Sequence, residues 1–337
     1  MSGALVLCTG GGIGDVLLAT PVMRALHARY DRVVALTAPA HRDVLAAHPL
    51  LADVWTDDLP FPEMAAQIAR AEFDASVTTW ATLRSAALPY VARVPVRVGQ
   101  ARRLYSGLFT QRVVVRSETG DSTAHWTQVL LDYARAIDCD TPEAIPEFYV
   151  ADVARATLAT TLVEVGIVAP YVVLHPTRGI SAAHERWPVA RFGELARALH
   201  AAFGARVVVT GGGEDRAIVD AVARAGDAVS LGGRTSLAEF GALAAGARLV
   251  VAMDSGPMHV AAAVGAPTVG IFALQSDEPD RWAPLGARTA VVRASYPCPP
   301  GHRKETCPDF ACIAALDLDA VVAAASGLLA RGPESPA

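Results

Sequence analysis

Short apolar runs alternate with amphipathic stretches along the first half of the chain. The runs at residues 5–8, 32–37 and 75–79 predict strands buried on both faces. Apolar side chains recur at helical spacing from Gly14 to about Tyr30 and again over residues 125–137, so both stretches predict helices. Repeated β–α units of this kind indicate parallel sheets and an α/β fold.

The alternation restarts in the second half with a predicted strand at residues 171–176. The helix "ARFGELARALHAAFG" ends at Gly204, a residue suited to a left-handed C-cap. The helix "SLAEFGALAAGA" begins with a capping box, because Ser236 suits the N-cap and Glu239 follows three residues later. A strand, a small-residue loop and a helix are also predicted in "VVAMDSGPMHVAAAVGA".

Two series of β–α units predict two Rossmann-like domains facing a central cleft. We place them at residues 1–150 and 171–337, with a linker region at 151–170, because a proline- and acid-rich stretch separates the two halves. Every glycine-rich loop falls at the carboxyl end of a predicted strand. Ligands of doubly wound sheets bind at those ends.

The composition narrows the classes of partner. A hydrophobic fraction of 52% permits a sizeable core, and a net charge of −5 argues against nucleic acid as the main partner. Five cysteines without a recognisable signal peptide favour a reducing cytoplasm. The sequence predicts no membrane-spanning helix, since no stretch of about 20 apolar residues lacks charges.

The loop in "LVLCTGGGIGDVLL" has the strand–glycine–helix form that opens many nucleotide-binding domains. The dinucleotide fingerprint nevertheless fails, because its third glycine position is occupied by Asp15 when Gly10 and Gly12 are the first two. No Gly-Lys-Ser/Thr follows, which excludes a P-loop. Asp15 either accepts a proton from an incoming hydroxyl or complements the dipole of its own helix.

A candidate anion site lies in "AMDSGPMH". Asp254, Ser255 and Gly256 follow a strand, and Pro257 suits the first helical turn, whose N–H groups and dipole favour an anion. His259 could contact the same anion, and Asp254 could hold hydroxyl groups. The alternative is a helix that Ser255 or Asp254 merely caps, with His259 as an ordinary surface histidine.

Further ligand contacts are expected after the two preceding strands. Thr177, Arg178 and Arg186 are candidate phosphate ligands, because guanidinium donors match phosphate oxygens. Glu214 or Asp215 follows three glycines, where a carboxylate can accept from ribose hydroxyls. Their alternatives are a solvated loop and acidic residues that complement a helix dipole.

A cluster of arginines toward the end of the first predicted domain leaves more than one interpretation open. Six arginines between positions 93 and 116, among them Arg102 and Arg103, could contact an anionic acceptor or a lipid headgroup surface, or form a solvated face.

The cysteines of the second half raise the question of a metal. Cys298, Cys307 and Cys312, with His302 between them, could bind zinc. Their spacing lacks a close cysteine pair, so we assign no metal site.

The motifs "GGGIGDVLLATPVMRAL", "LHPTRG", "ERWP", "VVVTGGGED" and "MDSGPMHVAAAVGAPTVGIF" together resemble those of the ADP-heptose–lipopolysaccharide heptosyltransferases, glycosyltransferase family nine. The resemblance covers about residues 4–325, and the ending "CPPGHRKETCPDFAC" is similar to the heptosyltransferase II type. It implies a GT-B fold and inverting transfer from ADP-heptose to a saccharide or lipid-linked saccharide of the lipopolysaccharide inner core. It also implies no obligatory metal or cofactor, and peripheral contact with the cytoplasmic face of the inner membrane is a further expectation.

The resemblance makes Asp15 the catalytic base. The donor site that follows from the motifs comprises Thr177, Arg178, Arg186, Glu214, Asp254, Ser255, Gly256 and His259. The acceptor contacts, with the basic region included, are Gly11, Gly12, Gly14, Arg102 and Arg103.

One position departs from the family pattern. Glu185 stands where family members usually carry a phosphate-supporting lysine, two residues before Trp-Pro. At ~4 Å and an effective dielectric constant of ~20, each like-charge pair with a diphosphate costs about 4 kcal/mol. Either Arg178 or Arg186 substitutes, or Glu185 points away, or the donor or acceptor differs. A non-catalytic sugar-nucleotide-binding protein is the alternative of another class.

Overall fold

A computed structural model of the chain describes residues 2–177, 187–274, 278–298, 307 and 309–331. The chain divides into two compact units, Met1–Tyr149 and Val150–Ala337. Each unit contains its own six-stranded sheet with helices connecting the strands. The predicted α/β class is therefore confirmed.

The first unit carries six strands and five α-helices among its described residues. The strands are β1 (Gly3–Cys8), β2 (Arg32–Thr37), β3 (Asp53–Thr56), β4 (Ala75–Thr78), β5 (Val96–Gln100) and β6 (Gln111–Val113). The α-helices are α1 (Ile13–Leu17), α2 (Thr20–His27), α3 (Phe61–Arg70), α4 (Leu83–Val91) and α5 (Trp126–Arg135). Short 3₁₀ helices lie at Pro39–Val44, Leu104–Leu108 and Arg116–Thr119.

The strands of the first unit are parallel and follow the order β3-β2-β1-β4-β5-β6. All six residues of β1 are buried, as expected for a strand covered on both faces. Cys8 pairs with Thr37 of β2, and Leu7 pairs with Thr78 of β4, so the three strands end side by side. The strand order reverses between β1 and β4, which makes this edge the expected ligand crevice.

The single helix predicted from Gly14 to about Tyr30 is two helices, α1 and α2. Pro21 has no N–H and cannot continue the helical hydrogen-bond ladder to the carbonyl of Leu17. The hydroxyl of Thr20 donates to that carbonyl instead, at 2.8 Å. The break isolates α1, which carries Asp15, as a single short turn after the glycine loop.

The second unit repeats the same plan. Its strands are β7 (Tyr171–His175), β8 (Arg206–Val209), β9 (Val229–Ser230), β10 (Leu249–Met253), β11 (Thr268–Phe272) and β12 (Thr289–Arg293). Its α-helices are α6 (Asp152–Glu164), α7 (Val189–Phe203), α8 (Arg216–Gly226), α9 (Leu237–Ala245), α10 (Gly256–Ala263), α11 (Pro279–Trp282), α12 (Ala311–Ala314) and α13 (Leu318–Ala330). None of the described helices of either unit is long and apolar enough to cross a membrane.

The second sheet is parallel, in the order β12-β11-β10-β7-β8-β9. Its order reverses between β7 and β10, so a second crevice is expected at their carboxyl ends. The C-terminal helices close the core: the indole N–H of Trp187 donates to the carbonyl of Ile313 at 2.9 Å. Trp187 itself is 1% exposed.

The predicted helix ends of this unit are confirmed, whereas the predicted linker region is mostly helix. Gly204 ends α7 in the left-handed conformation with φ +62°, and Ser236 and Glu239 form the capping box of α9. Within residues 151–170, helix α6 packs against α9 and buries Leu158. A stretch that buries apolar side chains in this way belongs to the second unit rather than to a free connection.

Candidate active site

Asp15 is fixed in the first turn of α1, directly after the glycine loop. Its Oδ2 accepts a hydrogen bond from the backbone N–H of Gly12 at 2.8 Å. Burial raises the pKa of Asp15 above its usual value of 3.8, while the Gly12 bond and the nearby His41 act in the opposite direction. The bond satisfies a helix-terminal donor, and the raised pKa suits a general base. Capping and base catalysis are therefore compatible roles for this carboxylate.

Adjacent glycines of the loop have different functions. Gly11 has φ +76°, and a β-carbon there would lie 2.6 Å from Cγ of Asp15. The sequence suggested that Gly11 makes room for an acceptor, but its missing side chain makes room for Asp15. Gly12 has no atom within 4 Å of the corresponding position among the described residues, so it leaves open space. Gly14 lies within α1.

His41 is the titratable neighbour of Asp15. It lies in the 3₁₀ helix Pro39–Val44, which follows β2 and packs against α1. Burial lowers the pKa of His41 below 6.5, and the charge of Asp15 partly opposes this. Its Nδ1 is buried and has no hydrogen-bond partner within the described part of the chain. An imidazole with an unused nitrogen therefore accompanies the carboxylate.

The predicted acceptor arginines lie on the surface of the same unit. Nε of Arg102 is 3.3 Å from Oε1 of Glu118, and its side chain is 57% exposed. Arg103 is the N-cap residue of the 3₁₀ helix Leu104–Leu108, and its backbone N–H donates to Oγ of Ser106 at 3.0 Å. Because an exposed ion pair contributes at most about 1 kcal/mol, Arg102 can exchange Glu118 for an anionic ligand at little cost.

In the second unit, the loops after β7 and β10 lie side by side because Ala252 pairs with His175. The hydroxyl of Ser255 donates back to the carbonyl of Met253 at 2.9 Å. The side chain of the N-cap residue Ser255 makes no capping hydrogen bond to α10, and the N–H groups of a first helical turn suit an anionic ligand. Gly256 begins the helix, and Asp254 precedes the N-cap.

His259 is buried in the first turns of α10, with 5% exposure. The alternative of an ordinary surface histidine is therefore wrong. Burial so close to a helix N-terminus is compatible with the predicted contact to a donor anion.

Thr177 is held at the end of β7 by a buried histidine. Its Oγ1 is 3.4 Å from Nε2 of His175, whose Nδ1 is 3.0 Å from Oγ1 of Thr210. Burial lowers the pKa of His175 to about 4, so the ring is neutral at pH 7. A neutral imidazole has one donor and one acceptor, which means that one threonine donates and the other accepts. Thr177 is consequently positioned as well as buried.

The structure distinguishes the two acidic residues that follow the second glycine loop. Glu214 is exposed, whereas Asp215 is 5% exposed and is the N-cap residue of α8. Oδ1 of Asp215 is buried and has no hydrogen-bond partner among the described residues. A β-carbon at Gly211 would be 3.4 Å from Cβ of Asp215 and 3.5 Å from Oγ1 of Thr177. Asp215 and Thr177 thus border the same glycine, and Asp215 has the unused acceptor.

Several predicted residues fall outside the described ranges. These are Arg178, Arg186, Glu185 and His302. Cys298 and Cys307 are partly exposed and Cys312 is buried. Among the described residues no group of three or more potential ligands could hold a metal ion.

Sequence reasoning missed Trp80 and His41. Both follow strands that flank β1. Trp80 lies against Gly10 of the glycine loop, and His41 belongs to the 3₁₀ helix that packs against α1. The one available signal was that each lies shortly after the end of an apolar run. The sheet order that brings those runs beside β1 could not be read from the sequence.

The sequence and the fold were compared with known proteins. A sequence model of glycosyltransferase family 9 (heptosyltransferase) matches residues 63–309. Lipopolysaccharide heptosyltransferase 2 of Salmonella typhimurium is 24% identical over 306 residues, covering 83% of this chain and 85% of the relative. A putative glycosyltransferase of Haemophilus influenzae is 24% identical, covering 87% and 88%.

Solved structures agree with these sequence matches. A glycosyl transferase of family 9 from Veillonella parvula has a TM-score of 0.85 at 18% identity, covering 98% of both chains. ADP-heptose lps heptosyltransferase II of E. coli has a TM-score of 0.81 at 20% identity, covering 99% of this chain and 100% of the other. These likenesses confirm the predicted GT-B fold class. The chain belongs to glycosyltransferase family 9, the heptosyltransferases, and is a glycosyltransferase.

Proposed function

We propose that the protein transfers heptose from ADP-heptose to a hydroxyl of a saccharide acceptor in the lipopolysaccharide inner core, with inversion at the anomeric carbon. The observation that carries the proposal is the carboxylate of Asp15, held by Gly12 at 2.8 Å and with a pKa raised by burial. Support also comes from the relatives, whose names include lipopolysaccharide heptosyltransferase 2 and heptosyltransferase WaaC with ADP.

In the proposed reaction a single displacement accounts for inversion. Oδ1 or Oδ2 of Asp15 accepts the proton of the acceptor hydroxyl, and the hydroxyl oxygen bonds to the anomeric carbon of the donor. The bond between that carbon and the diphosphate oxygen breaks, and ADP leaves with the electron pair. A positioned general base of this kind typically contributes a factor of about 10² to 10⁴.

The leaving diphosphate is assigned to the second unit. The first turn of α10, from Gly256, offers N–H groups where negative charge develops. Ser255, His259 and Thr177 complete this part of the site, and Arg178 and Arg186 join it on the strength of the sequence.

The sugar and ribose hydroxyls of the donor are assigned to carboxylates. Asp254 would hold the heptose. Asp215 is assigned the ribose in preference to Glu214, because only Asp215 keeps a buried acceptor without a partner among the described residues. On the acceptor side, Gly12 leaves space, and Arg102 and Arg103 supply positive charge for an anionic core saccharide.

The decisive experiment compares Asp15→Asn with Asp31→Asn. Asp31 is a matched control, because it also accepts a backbone N–H, that of Ser2 at 2.8 Å, on the surface. Heptosyl transfer should fall at least about a hundredfold in Asp15→Asn, with ADP affinity retained, and stay unchanged in Asp31→Asn. Retained turnover in Asp15→Asn would overturn the base assignment. The anomeric configuration of the product, read by NMR, tests inversion.

A thermal-shift panel with ADP, UDP, GDP and ADP-heptose tests the donor, because a ligand of the folded state raises Tm according to its affinity. Greatest stabilisation by the adenine compounds supports ADP-heptose despite Glu185. Greatest stabilisation by UDP or GDP replaces it with another nucleotide sugar. Binding without nucleotide release in the presence of core oligosaccharide would indicate a non-catalytic binder. The scheme uses no obligatory metal, so EDTA should leave turnover unchanged.

A further inference from the structure

We infer that Trp80 is an aromatic platform on which a pyranose ring of the acceptor stacks beside Asp15. This inference rests on the proposed function, because it identifies an acceptor subsite of the same reaction.

The position of Trp80 follows from the sheet. Thr79 continues β4 by donating its N–H to the carbonyl of Leu7 at 3.1 Å, and Trp80 is the next residue. It therefore lies at the carboxyl end of β4, beside the loop that leaves β1. This is the edge where the strand order reverses, and ligands of doubly wound sheets bind there.

The indole and the Asp15 carboxylate occupy equivalent places on neighbouring glycines. A β-carbon at Gly10 would lie 2.5 Å from Nε1 of Trp80 and 2.6 Å from its Cγ. A β-carbon at Gly11 would lie 2.6 Å from Cγ of Asp15. Two successive residues of one loop thus lack side chains so that an aromatic ring and the proposed base can approach the same backbone.

The backbone around Trp80 is anchored, whereas its ring is accessible. The hydroxyl of Ser85 donates to the carbonyl of Trp80 at 3.3 Å, and the hydroxyl of Tyr105 donates to the carbonyl of Ala81 at 2.5 Å. Trp80 is nevertheless 40% exposed. Its indole N–H has no hydrogen-bond partner among the described residues.

A sugar ring has the matching chemistry. One face of a pyranose presents C–H groups that pack on an aromatic ring, while its hydroxyls accept from a donor such as an indole N–H. A ring stacked on Trp80 would be held next to the carboxylate that must receive its proton. A hydrated phosphate group would gain little from an indole face, whereas the C–H face and the hydroxyls of a saccharide match both the ring and its N–H.

The test compares Trp80→Leu, which keeps apolar bulk, with Trp80→Phe, which keeps an aromatic face. The acceptor is core oligosaccharide released from lipopolysaccharide by mild acid. In Trp80→Leu its KM should rise about tenfold with ADP affinity unchanged, whereas Trp80→Phe should stay within about threefold. Tyr90→Ala is the control, because Tyr90 is an aromatic residue of 51% exposure near the other end of α4. Tyr90→Ala should leave the acceptor KM and the ADP affinity unchanged.

Gly10→Ala provides an independent check, since its methyl group displaces the indole. Its effect on the acceptor KM should resemble that of Trp80→Leu, and the double variant should be no worse than either alone. An unchanged acceptor KM in Trp80→Leu, with transfer otherwise active, overturns the platform. Saturation-transfer NMR with the oligosaccharide separates the two proposals. Trp80-dependent binding by a protein that transfers no heptose would support the platform while removing the proposed function.

Discussion

The carboxylate of Asp15 occupies the space that a side chain at Gly11 would need. Gly11 adopts φ +76°, and a β-carbon there would be 2.6 Å from Cγ of Asp15 and 2.7 Å from its Cβ. The carboxylate accepts from the N–H of the next residue, Gly12. The glycine loop is thus shaped around this acidic side chain, and its failure to match the dinucleotide fingerprint has a structural explanation.

Gly11→Ala should impair catalysis more than folding. The methyl group must displace the carboxylate, and a misplacement of about 1 Å can reduce a rate about a hundredfold. Gly120→Ala is the matched control, because Gly120 also has a positive φ, +94°, but no described atom within 4 Å of its β-carbon position. Both variants should lose similar stability from backbone strain. Steady-state turnover together with Tm separates the effects, and equal turnover in the two variants would contradict the prediction.

The pH dependence of turnover should respond to His41. Asp15 must be ionised to accept a proton, so activity falls as the pH drops through its pKa, which burial raises above 3.8. His41 acts to lower that pKa. His41→Ala should therefore move the acidic limb of the kcat/KM profile to higher pH. His27→Ala, an exposed histidine of α2, should leave the profile in place. A shift to lower pH would show that the sign of the interaction is wrong.

Asp215→Asn should weaken ADP binding, whereas Glu214→Gln should not. A hydrogen bond to a charged group is worth about 1.5–3 kcal/mol, which corresponds to a roughly tenfold to hundredfold change in Kd. Glu214 is exposed and serves as the neighbouring control. Calorimetric titration with ADP measures both values. A larger loss of ADP affinity in Glu214→Gln than in Asp215→Asn would show that Glu214 makes the ribose contact.

Thr20→Val should destabilise the first unit by about 1–3 kcal/mol. The buried hydroxyl donates to the carbonyl of Leu17 at 2.8 Å and accepts from the N–H of Glu147 at 2.9 Å, so valine leaves both groups without their partner. Thr157→Val is the control, because that hydroxyl donates to Val153 on an exposed helix surface. The free energy of unfolding, measured by urea denaturation, should change by no more than about 0.5 kcal/mol in the control. Equal effects would show that the break between α1 and α2 does not depend on Thr20.

Much of the fold could be predicted because its signals are local. Buried strands such as β2 and β10 are continuous apolar runs, and the caps of α7 and α9 depend on single residues, Gly204 and Ser236. The break after α1 was missed although Pro21 was visible, because prolines are tolerated in a first helical turn and the sequence does not show where that turn begins. Helix α6 was missed because its neighbour α9 lies far along the chain.

The candidate site was predictable where one motif contains the whole arrangement. Asp15 and the loop before α10 are of this kind. The choice between Glu214 and Asp215 could not be predicted, because it depends on which side chain turns inward at the start of α8. Trp80 and His41 required the strand order, since residues distant in sequence meet only when β2 and β4 pair with β1.

The hydrogen bond between Trp187 and Ile313 has a consequence for the order of events during synthesis. It joins residues 126 positions apart and closes the core of the second unit with one of its last helices. The first unit is complete once the chain reaches Tyr149. Because domains generally fold as they emerge from the ribosome, the unit with Asp15 can form early, while the second unit, to which we assign the nucleotide, must wait for its C-terminal helices. The nascent enzyme therefore acquires its proposed base well before it can hold a donor.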